Sequence, residues 1–202
     1  MKKVLALFLC MMTCGAALFA QDLEMSVGGG LMLQPVFGST KYKSTEKDTD
    51  DYSGFGAGLN VFFDATYVEV NLGLIFANEK SDKDNEKGTD TSNLFFGVVG
   101  KYPISLNESL SLFPFFGFDY RITLGASVDG TKFPDDVAKA FDALSLVFGA
   151  GVDYDINENL YLRGEFGFGI TFNTKSEDDD KDSYDSHFKG KLPVKLAVGY
   201  RL

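Results

Sequence analysis

The single histidine, His187, is the side chain best suited to acid–base chemistry at neutral pH. Asp185 and Ser186 directly precede it. Neighbouring residues cannot form a Ser-His-Asp relay among themselves, because the three side chains must converge from different directions. A lipid-modifying enzyme that pairs His187 with a distant serine stays open as an alternative, although no nucleophile motif supports it. The sequence therefore predicts no enzyme activity, no catalytic residue and no cofactor.

An acidic run near the C-terminus, SEDDDKDSYDSH, offers carboxylates that could hold Ca²⁺. Its spacing does not fit a calcium loop, because Ser183 stands where the tight-turn glycine belongs and Lys189 where the closing glutamate belongs. We therefore interpret the run as a solvated surface loop and predict no metal site. The acidic residues of this run are Glu177, Asp178, Asp179, Asp180, Asp182 and Asp185.

The overall composition combines acidic charge with many aromatic side chains. The formal net charge is −10, and the chain contains 20 Phe, 22 Gly and no Trp. Nucleic acid is excluded as a partner, because its binding depends on Lys and Arg that neutralise phosphates. Such a composition is not typical of disorder either. It indicates that charged and apolar side chains are segregated onto different surfaces.

The first 20 residues have the layout of a secretory signal peptide. Lys2 and Lys3 form a basic start, residues 4–12 are apolar, and small residues lead to Ala20. The apolar stretch is too short to span a bilayer, which takes about 20 residues. We predict cleavage after Ala20, so that residues 1–20 are the signal peptide and residues 21–202 form the barrel domain.

Both cysteines of the chain, Cys10 and Cys14, lie inside this signal segment. The mature chain then has no thiol and no disulfide. Lipidation at Cys14 is the alternative, but Thr13 precedes that cysteine and the sequence is a poor lipobox.

Apolar and polar residues alternate along the mature chain with a period of two. In YVEVNLGLIF, residues 67–76, the apolar positions 68, 70, 72, 74 and 76 alternate with Glu69, Asn71 and Gly73. Strict alternation predicts a strand with two unlike faces. The pattern recurs in eight segments, most of them close to the 9–11 residues that cross a bilayer at a tilt. These segments are 23–35, 54–64, 67–77, 93–102, 110–124, 145–155, 160–172 and 190–202.

The connections between these segments alternate between long and short, as is typical of transmembrane barrels. All long connections fall on the side opposite the mature N-terminus. Within the third, residues Asp135 to Leu144 predict a short amphipathic helix that covers the barrel mouth. The long connections are 37–53, 78–92, 125–144 and 173–189, and the short ones are 65–66, 103–109 and 156–159.

Alternation alone does not say which face points inward, because a lipocalin is also an eight-stranded barrel and keeps its apolar face inside. The interior of such a barrel is just wide enough to be filled by side chains, or to hold one small ligand. The apolar faces here carry too many Phe and Leu side chains for that space. We therefore predict an all-β fold, an eight-stranded antiparallel up-and-down transmembrane β-barrel with its apolar face towards lipid.

The opposite face suits a narrow lumen, because it is rich in glycine and in charges of both signs. Glycine lets neighbouring groups approach closely, and a buried charge needs a partner. We predict that these side chains pair inside the barrel and have a structural role. They are Glu69, Lys101, Asp119, Arg121, Asp153, Arg163, Glu165, Lys191, Lys195 and Arg201.

Two further signals agree with a membrane barrel. Tyr102, Tyr154 and Tyr200 lie on the apolar face at the short-turn end, where aromatic side chains form an interface girdle. The chain ends inside its last segment with Leu202, an apolar residue two positions after an aromatic one. With this ending, the sequence resembles the small bacterial outer-membrane barrels typified by OmpX, the OmpA barrel domain and OmpW. Here Leu replaces the more usual terminal Phe.

The resemblance is architectural and transfers no functional motif. It implies location in the cell outer membrane, contact with outer-membrane lipid and recognition of the C-terminal strand by the barrel-assembly machinery. We expect a monomer whose acidic loops have a structural or surface-interaction role, adhesin-like, with a possible extracellular ligand. The alternatives are an OmpW-like passage of small hydrophobic solutes and, less favoured, a lipid-modifying enzyme.

Overall fold

Antiparallel strands form a single sheet in the computed structural model, which describes residues 23–42, 49–81, 88–138, 141–173 and 184–202. One helical turn, α1, lies at Asp135–Ala138. The strands are β1 Met25–Tyr42, β2 Thr49–Ala65, β3 Val68–Ser81, β4 Thr89–Lys101, β5 Ile104–Asn107, β6 Leu110–Val128, β7 Thr131–Lys132, β8 Ala143–Asp155, β9 Leu160–Asn173, β10 Tyr184–Lys191 and β11 Val194–Arg201.

The sheet closes on itself as an eight-stranded barrel, which confirms the predicted fold class. Strand β1 pairs with β2 on one side and with both β10 and β11 on the other. Strands β10 and β11 also both pair with β9, so together they make the eighth strand of the wall. This wall strand, predicted as continuous, is broken at Pro193, because proline has no N–H to donate to the ladder.

Several strands are longer than the alternating pattern predicts. Strand β1 reaches Tyr42, β2 begins at Thr49 and β6 spans 19 residues. Residues 37–53 and 78–92, predicted as loops, are therefore partly strand. The apolar pattern marks only the part of a strand that crosses lipid, whereas backbone pairing continues beyond it into polar sequence.

The third long connection folds back onto the barrel, but its predicted helix is wrong in length. Within the described part of this connection one turn forms, and Ala143 already belongs to β8. The Asp142 carboxylate accepts a hydrogen bond from the Thr123 backbone N–H at 2.8 Å, and the pairing of Ala143 with Arg121 recruits the next residues into the sheet. Ala143 and Leu144, which the predicted helix had included, thus belong to strand β8.

The apolar face lies on the outside of the barrel. Leu59 and Leu196 are each 64% exposed, although both are large aliphatic side chains. Tyr102, Tyr154 and Tyr200 are also exposed, and each lies near the short-turn end of its strand. This arrangement is the reverse of a lipocalin. In the residues that the structure describes, no helix is long and apolar enough to cross a membrane.

The lumen contains large aromatic rings as well as the predicted glycines and charges. Phe113 and Tyr161 are among the most deeply buried side chains. A Cβ on Gly151 would lie 2.2 Å from the Phe113 ring, and one on Gly199 would lie 2.1 Å from the Tyr161 ring. Glycine on one strand therefore makes room for an aromatic ring from another strand. The alternating pattern in the sequence did not predict that these rings face the interior.

A charged residue on the outer face tests the lipid-facing assignment. Leu72 lies in mid β3 and is 45% exposed. We expect Leu72→Arg to cost about 2–4 kcal/mol of folding free energy in bilayers, as Arg does near the midplane. The measurement is a urea titration of the protein folded in phospholipid vesicles.

Leu106→Arg is the matched control, because Leu106 is exposed in β5 at the short-turn end of the barrel. An Arg at such an interface position costs about 0–1 kcal/mol. Equal losses from the two substitutions would contradict the assignment of Leu72 to the lipid-facing band.

Candidate functional site

The charged side chains of the lumen form two groups. The turn-end cluster lies nearer the short turns and comprises Asp64, Glu69, Lys101, Asp153, Arg163, Glu165 and Lys195. The loop-end cluster lies nearer the long loops and comprises Glu79, Asp119, Arg121, Lys189 and Lys191.

Arg163 on β9 is the centre of the turn-end cluster. Its Nε and Nη2 donate to the two carboxylate oxygens of Asp153, both at 2.7 Å. Nη2 also donates to Asp64 Oδ2 at 2.7 Å, and Nη1 donates to Glu69. The Asp64 carboxylate also forms an ion pair with Lys101. One guanidinium therefore ties β9 to β2, β3 and β8.

Aromatic rings surround the same guanidinium. The Arg163 Cζ lies 4.7 Å from the centroid of the Phe62 ring, 4.9 Å from Phe113 and 5.1 Å from Tyr161. Rings within about 6 Å attract a cation through their quadrupole. The Tyr161 hydroxyl is itself held by Ser26 Oγ at 2.7 Å. The side chain of Arg163 is only 2% exposed, and the partners described above are all side chains of the protein.

Lys195 extends the cluster towards the middle of the lumen. Its Nζ lies 2.9 Å from Glu165 and 3.6 Å from Glu69, and it donates to the Asn71 side-chain oxygen at 3.1 Å. The Asn71 amide in turn donates to Glu69 at 2.6 Å. The cluster is therefore a continuous network rather than a set of isolated pairs.

The loop-end cluster is looser around its arginine. Lys191 Nζ lies 2.5 and 2.6 Å from the two oxygens of Asp119, and Lys189 Nζ lies 2.5 Å from Glu79. Arg121 reaches Glu79 and the backbone oxygen of Phe141 only at 3.4 Å each. Phe141 belongs to the third long connection, so Arg121 links the lumen to the segment that lies over the mouth.

All ten charges singled out from the sequence have an ion-pair partner in this structure. Nine of them lie in the two clusters, and Arg201 lies at the turn-end rim, 2.6 Å from Asp155. Ion pairs join Arg163 to Glu69 and Lys195 to Glu165. Neither of these pairs contacts Arg121 directly.

Sequence reasoning missed several of the partners, above all Asp64, Glu79 and Lys189. Asp64 has the same parity as Gly54, Gly56 and Gly58 on β2, so the alternation itself could have identified it. Glu79 and Lys189 lie beyond the predicted strand ends, where the apolar marker on the opposite face had faded.

The clusters leave little free space in the middle of the barrel. Six acids and six bases are paired inside the described part of the lumen. The central cavity measures about 40 Å³. In the described residues, no three His, Cys, Asp or Glu side chains are grouped to hold a metal ion.

A wider polar hollow of about 210 Å³ opens at the short-turn end. Its walls carry both Asp64 and Asp153, so the acids of the turn-end cluster border an open space. A second hollow, of about 140 Å³, lies at the loop end beside Tyr52 and Phe141. The free space in the lumen is thus larger at its two ends than in the middle.

Removal of the central cation tests the energetic weight of the turn-end cluster. We expect Arg163→Ala to cost about 3–5 kcal/mol, because it leaves Glu69 and Asp64 as poorly compensated buried charges. The measurement is the free energy of unfolding by urea in detergent micelles.

Arg201→Ala is the matched control, because it removes an arginine whose pair with Asp155 is partly exposed at the rim. Such a pair is worth about 0–1 kcal/mol. An Arg163→Ala protein as stable as the Arg201→Ala protein would contradict the role given to the cluster.

Solved structures that are similar to this one include several outer-membrane proteins. OprG from Pseudomonas aeruginosa has a TM-score of 0.51 at 14% identity, over 90% of this chain and 96% of that one. Neisserial surface protein A has a TM-score of 0.48 at 11% identity, over 87% and 99% of the two chains. Ail, the attachment invasion locus protein of Yersinia pestis, has a TM-score of 0.45 at 17% identity, over 90% and 100%.

The similarity to OprG supports the fold alone. No curated protein sequence matches the chain. The family model for the outer membrane protein beta-barrel domain, however, matches residues 6–200, almost the whole chain. This match agrees with the closed barrel, its apolar outer face and its paired interior. The chain belongs to the outer membrane protein beta-barrel domain family, and its location is the cell outer membrane.

Proposed function

We propose that this outer-membrane protein does not conduct solutes through its lumen and that it acts through its surface loops, in a structural or surface-interaction role. The observation that carries the proposal is the paired interior, in which Arg163 and Lys195 tie the strands together across the barrel axis. A water-filled channel would hydrate such charges and would not need them to pair. The ten sequence-predicted charges then have a structural role.

The segment over the mouth supports the same proposal. The Phe133 backbone N–H bonds to the Ala126 carbonyl at 2.9 Å, and the Phe133 and Phe141 rings stack at 6.3 Å. Asp142 and the Arg121 contact fix the other end of the segment to β6. We refer to residues 129–142 as the mouth strap. The strap narrows the entrance above a lumen that is already paired.

The loops carry the surface role in this proposal. The acidic residues 177–180 and 182 lie outside the described residues, so the proposal for them rests on their sequence. An acidic loop favours a cationic extracellular ligand over an anionic one. Outer-membrane lipid surrounds the wall, the barrel-assembly machinery recognises the C-terminal strand β11, and the protein is a monomer.

Passage of small hydrophobic solutes is the second candidate, and the inward-facing Phe95, Phe115 and Val147 are the observation that favours it. The central cavity of about 40 Å³ argues against this candidate. A cavity that binds benzene measures about 150 Å³. A hydrophobic solute would therefore need a considerable rearrangement of the lumen.

An enzymatic role has less support. The backbone of His187 pairs with Thr40 in the β1–β10 ladder, while its side chain lies outside what the structure describes. The catalytic alternative therefore rests on the sequence alone. Substitution of His187 by Ala with unchanged lipid composition of the outer membrane would remove it.

The proposed orientation places every long loop outside the cell. Residues 1–20 are predicted to be removed, so the mature chain has no cysteine and accepts a single reporter thiol. We expect Lys132→Cys, in the mouth strap, to react with a membrane-impermeant maleimide on intact cells. Glu158→Cys, in a short turn, is the matched variant and should react only after the outer membrane is permeabilised. The reverse pattern would overturn the orientation.

The closed lumen is tested by conductance in planar bilayers. We expect no stepwise current from the purified protein, because the two clusters span the lumen. Replacement of strap residues 130–141 by a Gly-Ser linker should leave the current absent, since the ion pairs stay. Discrete steps from the wild-type protein would contradict the proposal, and steps only after strap removal would show that the strap alone closes the lumen.

A further inference from the structure

The loop-end cluster has an excess of positive charge. It contains three cations, Arg121, Lys189 and Lys191, against two acids, Glu79 and Asp119. Each lysine holds its own carboxylate at about 2.5 Å, so both acids are already engaged at short range. Arg121 is therefore the cation of this cluster with the weakest pairing, because its ion pair with Glu79 is 3.4 Å long and Lys189 shares the same carboxylate.

The hydrogen bonds of Arg121 agree with this count. Its two contacts, to Glu79 and to the Phe141 backbone oxygen, are both 3.4 Å long. Its Nε is buried and has no hydrogen-bond partner in the described part of the chain. By contrast, Arg163 uses all three of its nitrogens in bonds of 2.7 Å or less. Arg121 is only 8% exposed, so bulk solvent has little access to it.

The central cavity lies against these three cations. Its charged lining contains four cations and two acids, and its apolar lining includes Ile75 and Phe95. The charged residues are Arg121, Lys189, Lys191, Lys195, Asp119 and Glu165. Its volume is about 40 Å³. A cavity that binds benzene measures about 150 Å³. The space therefore admits a monatomic anion but is too small for a group the size of a sugar or a lipid headgroup.

The excess negative charge of the turn-end cluster does not neutralise Arg121. Glu165, which also lines the central cavity, pairs with Lys195 at 2.9 Å. Asp64 and Asp153 pair with Arg163 at the opposite end of the lumen. The positive excess lies at the loop end, where Arg121 both lines the central cavity and contacts Phe141 of the mouth strap. A buried charge needs a partner close by, and among the described groups Arg121 has only the long contact to the Glu79 carboxylate that Lys189 shares.

We propose that the lumen binds a small monovalent anion, of the chloride class, in the central cavity beside Arg121, Lys189 and Lys191. The anion accepts the hydrogen bond that the Arg121 Nε does not give to the protein. Because the same guanidinium also contacts Phe141, anion binding steadies the attachment of the mouth strap. The apolar part of the wall favours a weakly hydrated halide over sulfate or phosphate.

Chloride itself is the probe, and the full mature chain refolded in detergent is the sample. We expect the ³⁵Cl NMR line of dilute chloride to broaden in the presence of the protein and to sharpen again when bromide, but not gluconate, is added. We also expect a higher urea midpoint of unfolding in sodium chloride than in sodium gluconate at equal ionic strength, because a ligand that binds only the folded state stabilises it.

Arg121→Gln removes the cation and should abolish both the broadening and the difference between chloride and gluconate. Arg201→Gln is the matched control and should retain both effects, because Arg201 lies at the rim and pairs with Asp155. If Arg121→Gln does not fold, the bromide competition on the wild-type protein decides alone. Broadening that bromide does not reverse, or equal midpoints in the two salts, would overturn the proposal.

The outcome is separable from that of the proposed function. A lumen that holds water beside Arg121 would fail the chloride test and would still show no current in planar bilayers. A protein that passes the chloride test and also conducts would retain the anion site and lose the closed lumen.

Discussion

Closure of the sheet is the constraint on which the rest of this structure depends. Lipid offers no partner to a backbone N–H or C=O group, so a sheet can cross the membrane only if it has no free edge. Pairing of β1 with β2 on one side and with β10 and β11 on the other satisfies that requirement. Eight strands enclose a lumen barely wide enough for side chains, which then dictates what the inward positions can be.

The narrow lumen explains why glycine, aromatic rings and paired charges occur together on one face. Gly28 faces the Phe62 ring, and an added Cβ there would lie 2.3 Å from it. The same ring lies beside the Arg163 guanidinium. A paired charge inside a barrel is not by itself strong evidence of stability, because desolvation offsets much of the attraction. Its contribution to register is clearer. A slip of β9 by one residue would turn Arg163 towards lipid and away from its partners on the other strands.

Alternation in the sequence was enough to predict eight strands, their facing and most of the inward charges. It could not predict which charges meet. Arg163 lies 99 positions from Asp64 and 94 from Glu69, and only the shear of the closed barrel brings them together. It also could not place Glu79, because the strand continues beyond the lipid-facing pattern that marked it. The predicted length of the strap helix was wrong for a related reason. The pairing of Ala143 with Arg121 in the sheet outweighs the local helix propensity.

The two ends of the lumen differ in how their arginines are satisfied, and the difference follows from what each end faces. Arg163 is saturated by carboxylates from three strands of the wall, so the turn end is held together without help from any loop. Arg121 uses its weaker contacts to reach Glu79 on the wall and Phe141 in the strap. Arg163 therefore connects distant strands of the barrel wall, whereas Arg121 couples the wall to a surface segment. Arg121 is thus the point at which the charges of the lumen and the surface segment meet.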